Sequence, residues 1–359
     1  MNKLMLSAAA VALTFAMTPA FAADDAGVKL SLGGFFKGYV NYTNEDNVHS
    51  LDILRSTEVH FAGETTLDNG LTVDAMIEAK TDGGDSFDVD ESYIYMAGSW
   101  GRTNLGVEDG AAYLLQVAAP SADANIDGVR QSISPTTFGG VDYANDVTRG
   151  ADKLTYLSPV FSGFQAGVSY TPNVDGVTAL LSGGTASRGA TGNSADNQDN
   201  HFDSVYEAAA RYEGQISNVG VILGAGYTHA SLQLDPSTVF TDDFSQWNVG
   251  ADFDIGAFGI GAVYTENNTA GALGNTEDEE TFTVGGDYTT GPFKIGASYL
   301  NDQIDSAYDE DRYTAGVIYT YGPGMTFRGS VGYTELDIDG TSIGDADATT
   351  VSLGTQVNF

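Results

Sequence analysis

The chain has no cysteine, only 8 prolines and only 14 lysines plus arginines in 359 residues. Without cysteine there are no disulfides, no thiol nucleophile and no cysteine-based zinc site. So few basic residues, set against 49 acidic ones, give a formal net charge of −35. That balance excludes a nucleic-acid partner, because phosphate contacts need clustered Lys and Arg. Catalytic patterns are missing as well. His49, His60, His201 and His229 are scattered, with no His-Glu-x-x-His pair, no phosphate loop and no Gly-x-Ser-x-Gly elbow, so the chain does not read as an enzyme. Long apolar runs are also scarce. The longest, Leu4 to Met17, falls short of the ~20 residues a helical span needs.

What is present points elsewhere. Apolar residues make up 42% and aromatics 11%, too much for an acidic disordered chain. Lys3, the apolar run, and Ala20-Phe21-Ala22 before Asp24 form a secretory signal over residues 1–22, cleaved after Ala22 or Ala23. The exported remainder, 23–359, can cross a membrane only as strands.

From Val28 onward the hydrophobic period is two. Phe293, Ile295, Ala297 and Tyr299 alternate with Lys294, Gly296 and Ser298; Leu71, Val73, Ala75, Ile77 and Ala79 alternate with Thr72, Asp74, Met76, Glu78 and Lys80. About sixteen such segments begin near residues 28, 53, 71, 90, 101, 152, 164, 203, 219, 243, 259, 280, 293, 311, 326 and 349. Connections alternate between tight turns, such as Asp68-Asn69-Gly70, Ser217-Asn218 and Gly291-Pro292, and long polar stretches. Short turns at one end and long loops at the other predict a transmembrane antiparallel β-barrel, all-β in class.

Aromatic spacing supports the same reading. Phe36/Tyr42, Phe164/Tyr170, Phe258/Tyr264, Phe293/Tyr299 and Phe327/Tyr333 each place two rings six residues apart on one face. At ~3.3 Å per residue they stand ~20 Å apart along a strand, as girdles flanking a ~25 Å apolar band require. The last strand runs through Val351, Leu353, Thr355 and Val357 to a terminal aromatic, Phe359, which reads as a closing strand and assembly signal.

With these features in place, the chain resembles the trimeric general porins of Gram-negative bacteria, most like those of alphaproteobacteria. Phe61-Ala62-Gly63-Glu64 with Leu67-Asp68-Asn69-Gly70-Leu71 looks like that family's second hairpin. Leu154-Thr155-Tyr156-Leu157-Ser158-Pro159 with Phe161-Ser162-Gly163-Phe164 looks like its sixth and seventh strands. The resemblance implies a sixteen-stranded barrel, a homotrimer, insertion by the outer-membrane assembly machinery, and a third long loop folded into the pore. Here that loop is 108–151. Pro135-Thr136-Thr137-Phe138-Gly139-Gly140 is similar to the family's loop motif, with Thr136 and Thr137 where its acidic residue stands. Gly106-Val107-Glu108-Asp109 likewise lacks the usual arginine.

Parity then assigns faces. With the apolar alternates toward lipid, Lys37, Lys80, Arg102, Lys153, Arg211, Lys294, Arg312 and Arg328 face the lumen. A charge facing lipid at the midplane costs ~2–4 kcal/mol. A basic wall facing an acidic loop builds a transverse field, so the expected constriction pairs Glu108, Asp109, Asp123 and Asp127 with Lys37, Lys80, Lys153 and Arg211. Asp82, Asp85, Asp88, Asp90 and Glu91 form an oxygen cluster in the second long loop that is a candidate for Ca2+, although the spacing is not that of an EF-hand; no other cofactor is indicated.

The expected function is passive diffusion of small hydrophilic solutes through a cation-preferring channel. A substrate-specific channel for sugar or phosphate and a secreted β-rich adhesin are the alternatives. The eight long connections hold 37 acidic and 3 basic residues. The charge is therefore expected on one rim, where it raises local cation concentration and bridges to outer-membrane lipid and lipopolysaccharide through divalent ions.

Overall fold

A computed structural model of the chain describes residues 27–81, 88–138, 143–174, 202–233, 240–269, 277–305, 307–338 and 346–359. The expected signal segment, 1–22, lies outside these. The first eight strands are β1 (Lys29–Asn44), β2 (Leu51–Thr66), β3 (Thr72–Lys80), β4 (Asp88–Gly98), β5 (Gly101–Val107), β6 (Asp152–Leu157), β7 (Phe164–Val174) and β8 (Phe202–Ile216). The rest are β9 (Val219–Leu232), β10 (Phe244–Ile255), β11 (Phe258–Asn267), β12 (Glu279–Thr290), β13 (Phe293–Ile304), β14 (Tyr308–Gly322), β15 (Met325–Ile338) and β16 (Ala346–Asn358). Each begins within three residues of the position expected from period-two alternation.

Every strand pairs antiparallel with its sequence neighbours, and β1 pairs with β16, closing the barrel. The closing register runs from Phe35 opposite Asn358 to Asn44 opposite Thr349. Phe359 extends this seam: its N–H donates to the Gly34 carbonyl (3.1 Å) and its carbonyl accepts from the Gly34 N–H (2.9 Å). Gly34 sits at φ +151°, and a Cβ there would meet the Phe359 ring at 3.1 Å. Only glycine fits this corner. The short connections are true turns: Ser217 and Gly256 take left-handed φ of 57° and 68° between β8–β9 and β10–β11.

The outer surface is the apolar one. Ile53 is 73% exposed and Leu353 64%, among a band that includes Leu30, Val40, Ile260, Ile295 and Val331. A water-soluble protein does not tolerate so continuous an apolar surface, and in a closed barrel there is no second sheet to cover it. The adhesin reading fails on this point. The inner wall is polar instead, with Asn41, Ser56, Glu58, Asn104, Thr155, Thr228 and Asn248 buried there.

The girdles are wider than the sequence implied. Phe164, Phe258 and Phe293 are matched across strands by Tyr212, Tyr288 and Tyr319, with ring centroids 4.7, 4.7 and 5.0 Å apart. At the long-loop end Tyr170 meets Tyr206 at 5.2 Å and Tyr299 meets Tyr313 at 5.0 Å. Reading one hairpin strand at a time found half of each ring pair; register supplies the other.

The loop after β5 turns into the barrel. It carries two short helices, α1 (Ala111–Leu114) and α2 (Ala124–Asp127), and returns through Tyr143 to Ala151. It lies on a track of inward-facing glycines. A Cβ on Gly167 would stand 3.1 Å from Ala111 Cβ, one on Gly224 2.7 Å from Val117, one on Gly250 2.7 Å from Val117, one on Gly261 2.8 Å from Pro120, and one on Gly296 3.1 Å from Ala122. Glycine on these strands is therefore a packing device: it removes side chains where backbone must approach backbone. Tyr143 adds an apolar anchor, packing with Ala119, Val263 and Leu300.

Part of the acidity expected on the rim is in fact internal. Glu108, Asp109, Asp123 and Asp127 are buried inside the barrel with the loop, and Asp302 and Glu310 are buried on strands. The inward course of the 108–151 loop agrees with the expectation from the resemblance, so the carboxylates of that loop do not belong to the rim.

The glycine track has a direct consequence. Gly250→Val puts branched carbons into the space of Val117, so the loop must lift from β10. The expected result is a single-channel conductance in KCl different from wild type, with the β-sheet circular dichroism unchanged. Unaltered conductance in a folded variant would show that the loop does not rest there.

Candidate functional site

The site is the lumen where the inward loop meets the wall, and its organising interactions are ionic. Asp109 accepts two hydrogen bonds from Arg130, at 2.9 Å from Nη1 and 2.5 Å from Nη2. Arg130 also pairs with Asp146 on the return limb and lies over the Tyr113 ring, 3.6 Å from its centroid. Burial works against charge on Asp109, but the Arg130 guanidinium wins and holds its carboxyl below the ordinary value. The same carboxylates push Arg130 further up. This buried cluster ties the two limbs of the loop together.

Glu108 sits at the hinge where β5 enters the loop. Its carboxylate accepts from Arg102 Nη2 at 3.2 Å and from the Asn104 amide, both on β5. Desolvation outweighs these partners and pushes the Glu108 carboxyl up to about 7. Its backbone carbonyl accepts from Lys153 Nζ on β6, which also bonds the Ala151 carbonyl at 2.8 Å. One lysine thus clamps both ends of the loop.

At the far end, Asp123 caps α2 by accepting from the Asn125 N–H at 3.1 Å. It also accepts from Tyr39 Oη at 2.7 Å and Arg328 Nη1 at 2.5 Å. Asn125 in turn donates to Tyr39 Oη and to Gln356. Asp127 accepts from Ser298 Oγ at 3.0 Å and faces Arg312; its burial pushes that carboxyl up. Lys37 donates to Ser132 Oγ at 3.0 Å. The Pro135 carbonyl accepts from Asn41 at 2.9 Å and Thr43 at 2.6 Å. Arg211 donates to the Gln116 carbonyl at 3.0 Å and pairs with Glu213 at 3.2 Å.

The eight expected constriction residues therefore all lie inside the barrel, but they are not arrayed as two opposed, open rows of charge. Asp109 is bound within its own loop. Asp123, Lys37, Lys153 and Arg211 each bridge loop to wall. Lys80 stays on the wall, paired with Asp90 and 3.8 Å from Glu58 Oε2. Arg328, Asn125 and Tyr39 belong to the same constellation and were not singled out among the constriction residues. Inward parity was the available signal for Arg328 and Tyr39, but it does not say which loop residue each would meet.

Of the proposed calcium ligands, Asp82 and Asp85 lie outside the described residues. The other three diverge: Asp88 is exposed, Asp90 is the bulged residue that pairs with Lys80, and Glu91 points inward toward Asp109, Glu78 and Glu108. Toward the short-turn end the wall is acidic. Glu213, Asp252, Asp254 and Asp287 all lie on inward parity, and Asp254 is in electrostatic reach of Asp287, Glu213 and Lys294. Lys294 pairs with Asp287 at 3.1 Å.

The comparisons with known proteins fit this geometry. Residues 7–356 match the family described as Gram-negative porin. No curated protein sequence matches. Among solved structures, a porin refined at 1.8 Å is 18% identical and covers 92% of this chain and 100% of its own, with a TM-score of 0.62. The trimer form of OmpT, an outer membrane protein of Vibrio cholerae, is 14% identical, covers 93% of this chain and 100% of its own, and scores 0.62. A triple mutant of Rhodopseudomonas blastica porin is 17% identical, with 92% and 100% covered and a TM-score of 0.59. At such identities the structures speak to the fold alone, and the family match over nearly the whole chain decides the rest. The chain belongs to the Gram-negative porin family: it is an outer-membrane channel for passive diffusion, and not an enzyme.

Proposed function

We propose that the channel is a general diffusion pore with a preference for cations. The observation that carries this is the acidic wall at the short-turn end, where Asp252, Asp254 and Asp287 share Lys294, and Glu213, paired with Arg211, lies in electrostatic reach of Asp254. Rings of carboxylates attract cations and repel anions in a narrow, low-dielectric passage. The loop charges act differently. Asp109 and Asp123 spend their acceptor capacity on Arg130, Arg328 and Tyr39, so they fix the shape of the aperture more than its sign.

General diffusion is favoured over a substrate-specific path because the inward aromatic rings are already engaged. Tyr39 bonds Asp123, Tyr95 bonds Glu64 at 3.1 Å, and Tyr143 is packed in the loop's apolar anchor. None is arranged as a continuous greasy track.

We also propose the homotrimer, for which the trimer form of the Vibrio cholerae neighbour is the support. Phe359 as an assembly signal, and contact of the acidic rim with lipopolysaccharide through divalent ions, belong to the same proposal. Native mass spectrometry of the detergent-extracted protein reads the oligomer; a monomer at all concentrations overturns the trimer.

Selectivity has two tests. Across a bilayer under a KCl gradient, the zero-current potential is expected to carry the cation-selective sign. Asp254→Asn combined with Asp287→Asn is expected to reduce it, by more than Asp123→Asn does. An anion-selective wild type sinks the proposal. The second test is pH. Because the Glu108 carboxyl is pushed up to about 7, it is neutral below that value and anionic above it. Cation preference is therefore expected to rise between pH 6 and pH 8 in wild type, and Glu108→Gln is expected to flatten that rise. A slope unchanged by the substitution assigns the titration to another group.

A further inference from the structure

Three potential metal ligands converge on the inner wall between β2 and β3. Register sets His60 directly opposite Glu78, and Glu58, two residues before His60, shares its face. His60 Nε2 stands 2.6 Å from Glu58 Oε1 and 3.7 Å from Glu78 Oε2. One ligand atom from each residue can be chosen so that all lie within 4.8 Å of one another. The side chains of His60, Glu58 and Glu78 are 3%, 9% and 7% exposed, so all three are more than nine-tenths buried.

The carboxylate charge at this point is poorly matched. Lys80 Nζ lies 3.8 Å from Glu58 Oε2, but it also pairs with Asp90. Among the described residues no lysine or arginine forms an ion pair with Glu78, and Glu78 Oε1 is buried with no hydrogen-bond partner. An unpaired buried carboxylate oxygen is costly. The arrangement is resolved if a cation sits between the three side chains.

We propose that Glu58, His60 and Glu78 form a binding site for a divalent transition-metal ion of the zinc type on the channel's inner wall. The donor set of one imidazole and two carboxylates suits zinc, which takes such ligands at about 2.0–2.2 Å in tetrahedral geometry. Ligand atoms of such a shell stand roughly 3.3–3.6 Å apart. The two separations from His60, 2.6 and 3.7 Å, lie on either side of that value, and the three ligand atoms all fall within 4.8 Å of one another. The fourth position is left to a water from the lumen. Calcium and magnesium are disfavoured, since they want six or more oxygen ligands and three residues cannot supply them.

The proposal is independent of the cation preference argued above. Its test is calorimetric titration of the chelator-treated, detergent-solubilised full chain with ZnCl2, with CaCl2 and MgCl2 as parallel probes. One Zn2+ per chain is expected at this site, weakened at least ~10-fold by His60→Ala and by Glu78→Gln, each shown to be folded by its circular dichroism. Neither calcium nor magnesium is expected to displace it. Absence of zinc binding overturns the site, and so does binding unchanged in both variants. X-ray absorption on the zinc-loaded wild type does not depend on any variant folding: a shell with one imidazole nitrogen and carboxylate oxygens is expected, and an all-oxygen shell overturns the proposal.

Discussion

In hydrocarbon an unpaired backbone N–H or C=O costs several kcal/mol, and no water is present to relieve it. That single constraint organises the molecule. It forbids an open edge, so β1 must find β16, and the last residue is drawn into the seam through both of its backbone groups at Gly34. Each strand pairs with its neighbour in the chain and is therefore antiparallel to it, so each short turn falls at one end of the barrel and each long connection at the other. With the backbone satisfied by closure, side chains are left to solve a different problem: apolar outward, polar inward, at period two.

The inward loop creates a second problem, because it brings its own backbone and charges into the lumen. Two solutions coexist. On the side of β7 to β13 the wall carries glycine directly beneath the loop, at Gly167, Gly224, Gly250, Gly261 and Gly296, and these let the loop lie against the strands. At the ends of the loop the wall keeps long side chains that grip it: Lys153 at its base, Arg211 beside α1, Arg328, Tyr39 and Lys37 near α2. Breaking one partner of a buried pair such as Asp109–Arg130 typically costs 3–5 kcal/mol, so these contacts specify one position for the loop.

Much of this was legible in the sequence, because a barrel wall is nearly a one-dimensional object. Alternation located the strands, turn residues located the short connections, and parity placed Lys37, Lys153 and Arg211 inside. The pairings were not legible. Parity says that Asp123 and Arg328 are both internal, but 205 residues separate them and only the folded loop brings them together. The glycines were visible as a period-two partner of apolar residues, yet their purpose depends on what lies above them. Tyr212, Tyr288 and Tyr319 likewise entered the girdle only through register. Where function depends on one strand's own pattern it could be read; where it depends on which strand faces which loop residue it could not.

The charge of −35 takes on a different meaning once these pairings are known. A scarcity of lysine and arginine means that each one inside the barrel has several carboxylates competing for it. Arg130 serves Asp109 and Asp146, and Lys80 is shared between Asp90 and Glu58. The loop contacts consume most of the basic groups, and what remains on the wall is anionic excess. That excess is what a permeating cation meets, and at Glu78 it is acute enough to leave a buried oxygen without a donor. Under the proposed cation preference, the shortage of basic residues governs both properties of the pore: the few that exist hold the loop, and their absence elsewhere sets the sign of the lumen.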